Sequence, residues 1–552
     1  MTVMGRLRAP PPVVHRHGRD SPFTPLEGRK MKASFLKNRV TRTWMMGLCL
    51  MAAPAAQATS VSVLDPRLPT VKPTSPELDP ETPVQRLVVK FHEGTRVRVR
   101  GGGLQVVSTE RNPAERGRMA RRGLSEQKLR QDLMAALRVL ADVPRMGPPG
   151  RLFRQDELTL AERKRLAEER SGKEQADLDL YFEVPLKPGT LAADVNELVM
   201  RLNALDSVEI AYAEAATEPA WFGLEVSGQA TNTSPGYEGL QGYLDAAPGG
   251  IDARYAWTMP GGTGTGVRIV DVEGAWNGTH EDLPRFFYTG GVQFNDLGWR
   301  NHGTAVMGVL AGQANGYGVT GVSYGAQVGH EGVAGQSIAS AITRAALVAG
   351  KGGVVLLQLQ ARGPRGTRDC TCNTSQCDEV PLEYWRANFD AIAQATAAGV
   401  HVVEAAGNGS VDLDSPVYRG AFDRSVRDSG AILVAAGTAG THAPMCWTNH
   451  GSRVDLHAWG EKVVTLGYGD LSSAGEDRWY TGTFSGTSSA APIVVGAVAN
   501  LQGIAHATGK GPLEPRALRE LLRATGTPQA SDAKQIGSMP NLREAIPELL
   551  AK

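Results

Sequence analysis

What this chain lacks narrows its class before any motif is read. Beyond one short apolar run near the N-terminus, no stretch approaches the roughly 18 to 20 consecutive apolar residues that a membrane span needs, so no span is expected. Positive charge is in short supply over the long C-terminal part. Residues 219–552 carry 23 basic and 30 acidic side chains, a net −7, which argues against a nucleic-acid binder, whose affinity would come from a basic surface. Cysteine is scarce, at five in 552 residues, and internal repeats are absent. Disorder along the whole chain is excluded by 41% hydrophobic against 21% charged residues, and the length suits two to four domains.

The basic excess sits in the first 58 residues, with ten basic and two acidic side chains. Lys32, Lys37, Arg39 and Arg42 precede the short apolar run 44–53, and Ala56-Gln57-Ala58 follows it. This is the pattern of a secretory signal peptide with an Ala-x-Ala cleavage site, and Met31 is the expected initiator. Leu48 stands where a lipid-anchored Cys49 would need a small residue. A secreted protein is therefore expected, extracellular or held in the periplasm or cell envelope. Losing the leader leaves Cys370, Cys372, Cys377 and Cys446, an even number in an oxidising compartment. Two disulfides follow, with three pairings open. The Cys-x-Cys-x4-Cys spacing is not the usual zinc knuckle.

Residues 59–83, rich in Pro, Thr and Ser, read as a linker. Strand composition at 86–91, 178–184 and 207–213 brackets a charged insert at 110–175 and a helix whose apolar residues Val195, Leu198, Val199 and Leu202 recur at the spacing of one helical face. A small α+β domain is predicted over 84–217. From about residue 219 the texture changes to short apolar runs bounded by glycine, at 267–272, 353–359, 400–406 and 431–436, alternating with helical stretches at 337–349 and 382–398. That alternation predicts an α/β domain, 235–552, with a parallel sheet covered by helices and its chemistry at the carboxyl ends of the strands.

Four segments of that domain carry candidate chemistry. VRIVDVEGAWNGTHEDL (267–283) places Asp271 near a strand's end; NHGTAVMGVLAG (301–312) places His302 at a helix start. VVEAAGNG (402–409) contains Asn408, and TFSGTSSAAP (483–492) places Ser488 at the mouth of a longer apolar helix. A serine hydroxyl needs a positioned base to become a nucleophile, and histidine titrates near enough to neutrality to serve, with a carboxylate fixing its tautomer. A helix N-terminus and a side-chain amide supply donors to a developing oxyanion.

In order and context these segments resemble the subtilisin-like serine proteases, the subtilase family. The resemblance covers about 235–527. It implies a subtilisin-like parallel sheet flanked by helices and a serine endopeptidase with Asp271, His302 and Ser488 as triad and Asn408 in the oxyanion hole. Protein or peptide substrates are implied, with Gln358, Leu359 and Gln360 as the substrate-binding edge. No cofactor is needed for the chemistry; Asp282 matches a calcium-ligand position in some relatives. Residues 84–217 then read as a propeptide that chaperones and inhibits the enzyme, processing falls in the linker 218–234, and a monomer is expected. The chain departs from the pattern after Asp271, where Val272-Glu273-Gly274 replaces a small residue and glycine, and at the edge, where Gln-Leu-Gln replaces Ser-Leu-Gly. Glu273 and Glu404 adjoin the machinery and are expected to make structural hydrogen bonds. The rival reading is a catalytically silent subtilase-like binding protein.

Overall fold

The computed structural model describes residues 64–68, 70–220, 234–366 and 370–551. The signal-peptide reading of residues 31–58 lies outside them, as does most of the 218–234 linker.

The core of the C-terminal domain is a seven-stranded sheet in the order Leu456–Trp459, Ile432–Gly437, His401–Ala405, Val354–Leu357, Arg268–Glu273, Gln327–Val333, Thr289–Val292. Every pairing in it is parallel. Its central strands are apolar runs because both faces are covered. Helices Ile338–Ala349 and Arg386–Ala397 belong to the cluster on one face, and helices Leu297–Ala311 and Thr487–Ala507 to that on the other. The strand Gln327–Val333 was not anticipated. Its sequence, QVGHEGV, breaks the apolar run with Gly329, His330, Glu331 and Gly332, yet it is buried and pairs with a strand on each side.

The helix Thr487–Ala507 bears on the expectation that no membrane span is present. Among the described residues it is the one helix long and apolar enough to cross a membrane, and 89% of its apolar window is buried inside the protein. A helix enclosed on all sides is apolar all round, and composition does not separate it from a span.

Residues 84–217 form the predicted α+β unit. Strands Gly150–Arg151, Tyr181–Pro185, Val84–Phe91 and Val208–Ala215 make a four-stranded antiparallel sheet in that order. Helix Ala192–Asn203 buries Val195, Val199 and Leu202 of the predicted stripe, and Leu198 is partly buried beside them. The charged insert supplies helices Pro113–Arg121, Glu126–Ala141 and Glu157–Ser171. Residues 64–68 and 70–83, within the stretch 59–83 read as a linker, instead run against this unit: Lys72 Nζ donates to the carbonyls of Asn203 and Leu205 at 2.9 and 2.8 Å.

The unit docks on helix Arg386–Ala397 through groups that are buried and paired, as buried charge requires. Arg67 lies 2.7 Å from Glu209 and 2.8 Å from Asp390, and Tyr181 Oη donates to Asp390 at 2.6 Å. Tyr212 stacks on Trp385 with ring centroids 5.0 Å apart. One apolar cluster runs from Leu87 and Val89 through to Ala391 and Ala395. This docking delivers the chain after Ala215 to the carboxyl edge of the main sheet.

Candidate active site

The strand Arg268–Glu273 ends in two carboxylates, two residues apart and therefore on one face. They have different partners. Asp271 Oδ2 accepts from Trp276 Nε1 at 2.8 Å, and Trp276 is stacked on His330 at 4.2 Å between centroids. Glu273 Oε1 is the group that meets His302 Nδ1. Burial pushes both carboxyls well above their usual range, Asp271 with a further upward push from Glu273, while burial lowers His302 to about 3 against the raising field of Asp271. His302 sits in helix Leu297–Ala311 and touches Phe484 edge-on at 5.6 Å. Its neighbour Gly303 is obligatory: a Cβ there would lie 2.2 Å from the Ala275 carbonyl oxygen. The hydrogen bond expected between Asp271 and His302 is thus made by Glu273 instead. Strand residue 273 stands one step nearer the crevice with a side chain one methylene longer, and Trp276 folds back onto Asp271.

Ser488 is the second residue of helix Thr487–Ala507, entered through Gly486 at φ +111°. Only glycine takes such a turn without strain. Ser488 Oγ and His302 Nε2 are both buried and make no hydrogen bond among the described residues. The neighbouring Ser489 is occupied, donating to Trp459 and Gly486 carbonyls at 2.9 and 3.0 Å. Asn408 is held on three sides. Its Oδ1 accepts from Thr487 N and Oγ1 at 3.0 and 2.9 Å, its backbone N–H donates to Gln360 Oε1 at 2.8 Å, and its Nδ2 donates to Gln376 Oε1 at 3.2 Å.

The edge strand Leu359–Arg362 is paired on both sides, with Glu379–Pro381 and with Thr217–Pro219, both antiparallel. Leu359 opposes Pro219, and Gln360 opposes Glu218. The pairing continues one residue further: Ala220 N–H donates to the Gln358 carbonyl at 3.3 Å, and Ser488 N–H donates to the Ala220 carbonyl at 3.1 Å. Ala220 has no solvent exposure. Gln358 also uses its side chain, donating Nε2 to the Ser488 carbonyl at 3.1 Å. An extended segment of the chain therefore lies in the crevice with a peptide carbonyl on the backbone donor of Ser488.

Residues 287–538 match the Subtilase family, and this stretch contains His302, Asn408 and Ser488. Over this C-terminal stretch the chain is similar to the subtilisin-like serine proteases. It is 27% identical over 272 residues to an extracellular protease of Xanthomonas campestris pv. campestris, covering 49% of this chain and 42% of that protein. It is also 27% identical over 317 residues to an intracellular serine protease of Paenibacillus polymyxa, covering 54% of this chain and 85% of that one. The chain thus spans less than half the length of the first relative. Among solved structures, fervidolysin from Fervidobacterium pennivorans, a keratinolytic enzyme related to subtilisin, superposes with a TM-score of 0.49 at 16% identity, over 87% of this chain and 64% of that one.

In this chain the cysteines pair as Cys370–Cys377 and Cys372–Cys446, with Cα atoms 5.7 and 6.1 Å apart. Sequence left that choice open. Glu404 lies off the site, accepting from Glu383 N–H at 2.9 Å. Asp282, the calcium-ligand candidate, is held by neighbouring donors. Its oxygens accept from Asn315 Nδ2 and Val319 N–H, each at 2.8 Å. No group of three or more His, Cys, Asp or Glu that could hold a metal occurs among the described residues.

Burial raises Asp282 to about 7, against the pull of those N–H donors. The folded chain therefore retains a proton that the unfolded chain releases near pH 4, so this group's contribution to stability falls as pH rises from about 4 through 7. Asp282→Asn does not titrate. From pH 5 to 8 its unfolding free energy should gain on wild type by up to about 2.7 kcal/mol. Chemical denaturation at the two pH values checks this, and a pH-independent gap between the proteins would refute it.

Proposed function

We propose that this protein is a subtilase, a secreted serine endopeptidase made as a preproenzyme, that cuts its own chain between Ala220 and Trp221. Ser488 Oγ attacks the Ala220 carbonyl carbon and passes its proton to His302 Nε2. Glu273 holds the opposite ring nitrogen and stabilises the imidazolium. The oxyanion takes the Ser488 N–H, with the Asn408 amide as the second donor. His302 then returns the proton to the Trp221 nitrogen as the amine departs, and water hydrolyses the acyl-enzyme. Residues 84–220 act as an intramolecular inhibitor until they are released, and protein or peptide substrates follow the same backbone track.

The observation that carries this reading is the Ala220 carbonyl on the Ser488 N–H, at the end of a strand added to the Leu359–Arg362 edge. Addition of an extended peptide to a sheet edge uses main-chain groups, so it accepts many sequences. The leader pattern and the two disulfides support secretion.

Intact-mass spectrometry of the purified protein tests the proposal. A mature chain beginning at Trp221 that gains one adduct from a serine-directed fluorophosphonate is expected. A different new N-terminus would reject Ala220 as the acyl donor. Full retention of residues 84–220 with no adduct would favour the silent binding protein.

A further inference from the structure

The loop closed by the disulfide Cys370–Cys377 has little regular structure of its own, a single helical turn Thr374–Gln376. Its second tie, Cys372–Cys446, anchors it beside Trp447, whose carbonyl accepts from Ser410 N–H two residues beyond Asn408. These ties bring Gln376, adjacent to Cys377, into the cleft, where it is 9% exposed. Both ends of its carboxamide are used there. Nε2 donates to the Pro219 carbonyl at 3.1 Å, one residue before the carbonyl that faces Ser488. Oε1 accepts from Asn408 Nδ2 at 3.2 Å and from Asn373 Nδ2 at 2.9 Å. One side chain thus bridges the backbone of the bound segment and the amide of the oxyanion asparagine.

We propose that Gln376 is a substrate-positioning residue. It clamps the main-chain carbonyl that precedes the reacting one and orients the Asn408 amide, and the two disulfides hold it in place. The role in turnover rests on the proposed protease reading; the clamp on residues 217–220 does not. A carboxamide suits the task because it donates and accepts at once, without a charge that would have to be buried. Because the contact is to backbone, the clamp acts on any extended substrate, and it requires the loop to be oxidised.

Two experiments test it independently. In the full chain carrying Ser488→Ala, hydrogen exchange at residues 217–220 should quicken about 5- to 10-fold when Gln376→Ala is added, the effect of one lost hydrogen bond, while the core strand Val354–Leu357 stays protected. In the mature enzyme, Gln376→Ala should raise KM for an extended peptide by a similar factor. Gln376→Glu keeps the acceptor for Asn408 but loses the donor, so its KM should fall back toward wild type as pH is lowered from 8 to 6 and the carboxyl regains a proton. Dithiothreitol should reproduce the KM defect in wild type and add less than about 2-fold to Gln376→Ala. Unchanged exchange at 217–220 overturns the clamp, and an equal effect of reductant on both proteins overturns the role of the disulfides. Absence of a fluorophosphonate adduct on wild type would instead refute the protease reading, leaving the exchange experiment to decide the clamp alone.

Discussion

Glu273→Gln is expected to lower kcat toward a peptide substrate by about 10⁴-fold, with KM little changed, whereas Asp271→Asn should cost less than about 10-fold. The difference follows from which oxygen meets the ring. His302 Nδ1 faces Glu273 Oε1, while Asp271 Oδ2 already accepts from Trp276 Nε1. A glutamine amide turned toward the ring offers a donor, which favours the tautomer with its proton on Nε2, the nitrogen that must receive the proton of Ser488. It also removes the charge that stabilises the imidazolium. Asparagine at 271 can still accept from Trp276 through its oxygen. Steady-state kinetics on the two purified variants decides the matter, and a larger loss from Asp271→Asn than from Glu273→Gln would return the role to Asp271. Glu273→Asp should fall between them, since the shorter side chain keeps the charge but withdraws the oxygen.

Ser488→Ala should abolish turnover, a drop of about 10⁶ in kcat as known for removal of the nucleophilic serine in proteases of this type. It should also leave the polypeptide continuous across Ala220–Trp221. The fold should survive, because Ser488 Oγ is buried without a hydrogen bond among the described residues and its removal strands no partner. The Ala220 carbonyl keeps its contact with the backbone N–H, which does not depend on the side chain. Intact mass and a melting curve read both consequences. A Ser488→Ala protein that still loses residues 84–220 when purified free of other proteases would place the nucleophile elsewhere. Ser489 is a poor substitute because its hydroxyl already donates to Trp459 and Gly486.

The legible parts of the site share a local cause. His302, Asn408 and Ser488 each sit in a short glycine-flanked segment whose backbone demands are met by neighbours in sequence, as at Gly303 and Gly486. Glu273 was on view as the departure Val272-Glu273-Gly274. The signal was there, a second carboxylate two residues on and on the same strand face, nearer the crevice. Choosing between the two required the position of Trp276. Gln376 had no comparable signal, since its partners Asn408 and Pro219 are 32 and 157 residues away. The strand Gln327–Val333 escaped for a related reason. Two flanking strands supply its hydrogen bonds, so its own residues need not be uniformly apolar.

Sequence by itself determined that the C-terminal part is an α/β domain with a parallel sheet, that an α+β unit precedes it, and that a serine, a histidine and an asparagine lie in motifs built to use them. Periodicity and glycine placement carry such information because helix faces, buried strands and tight turns are satisfied within a few residues. Tertiary structure alone decided which acid meets His302, which cysteines pair, and that the chain after Pro219 lies in the cleft with Ala220 against Ser488. Those outcomes depend on distances between groups remote in sequence, set by how the elements of the fold pack together.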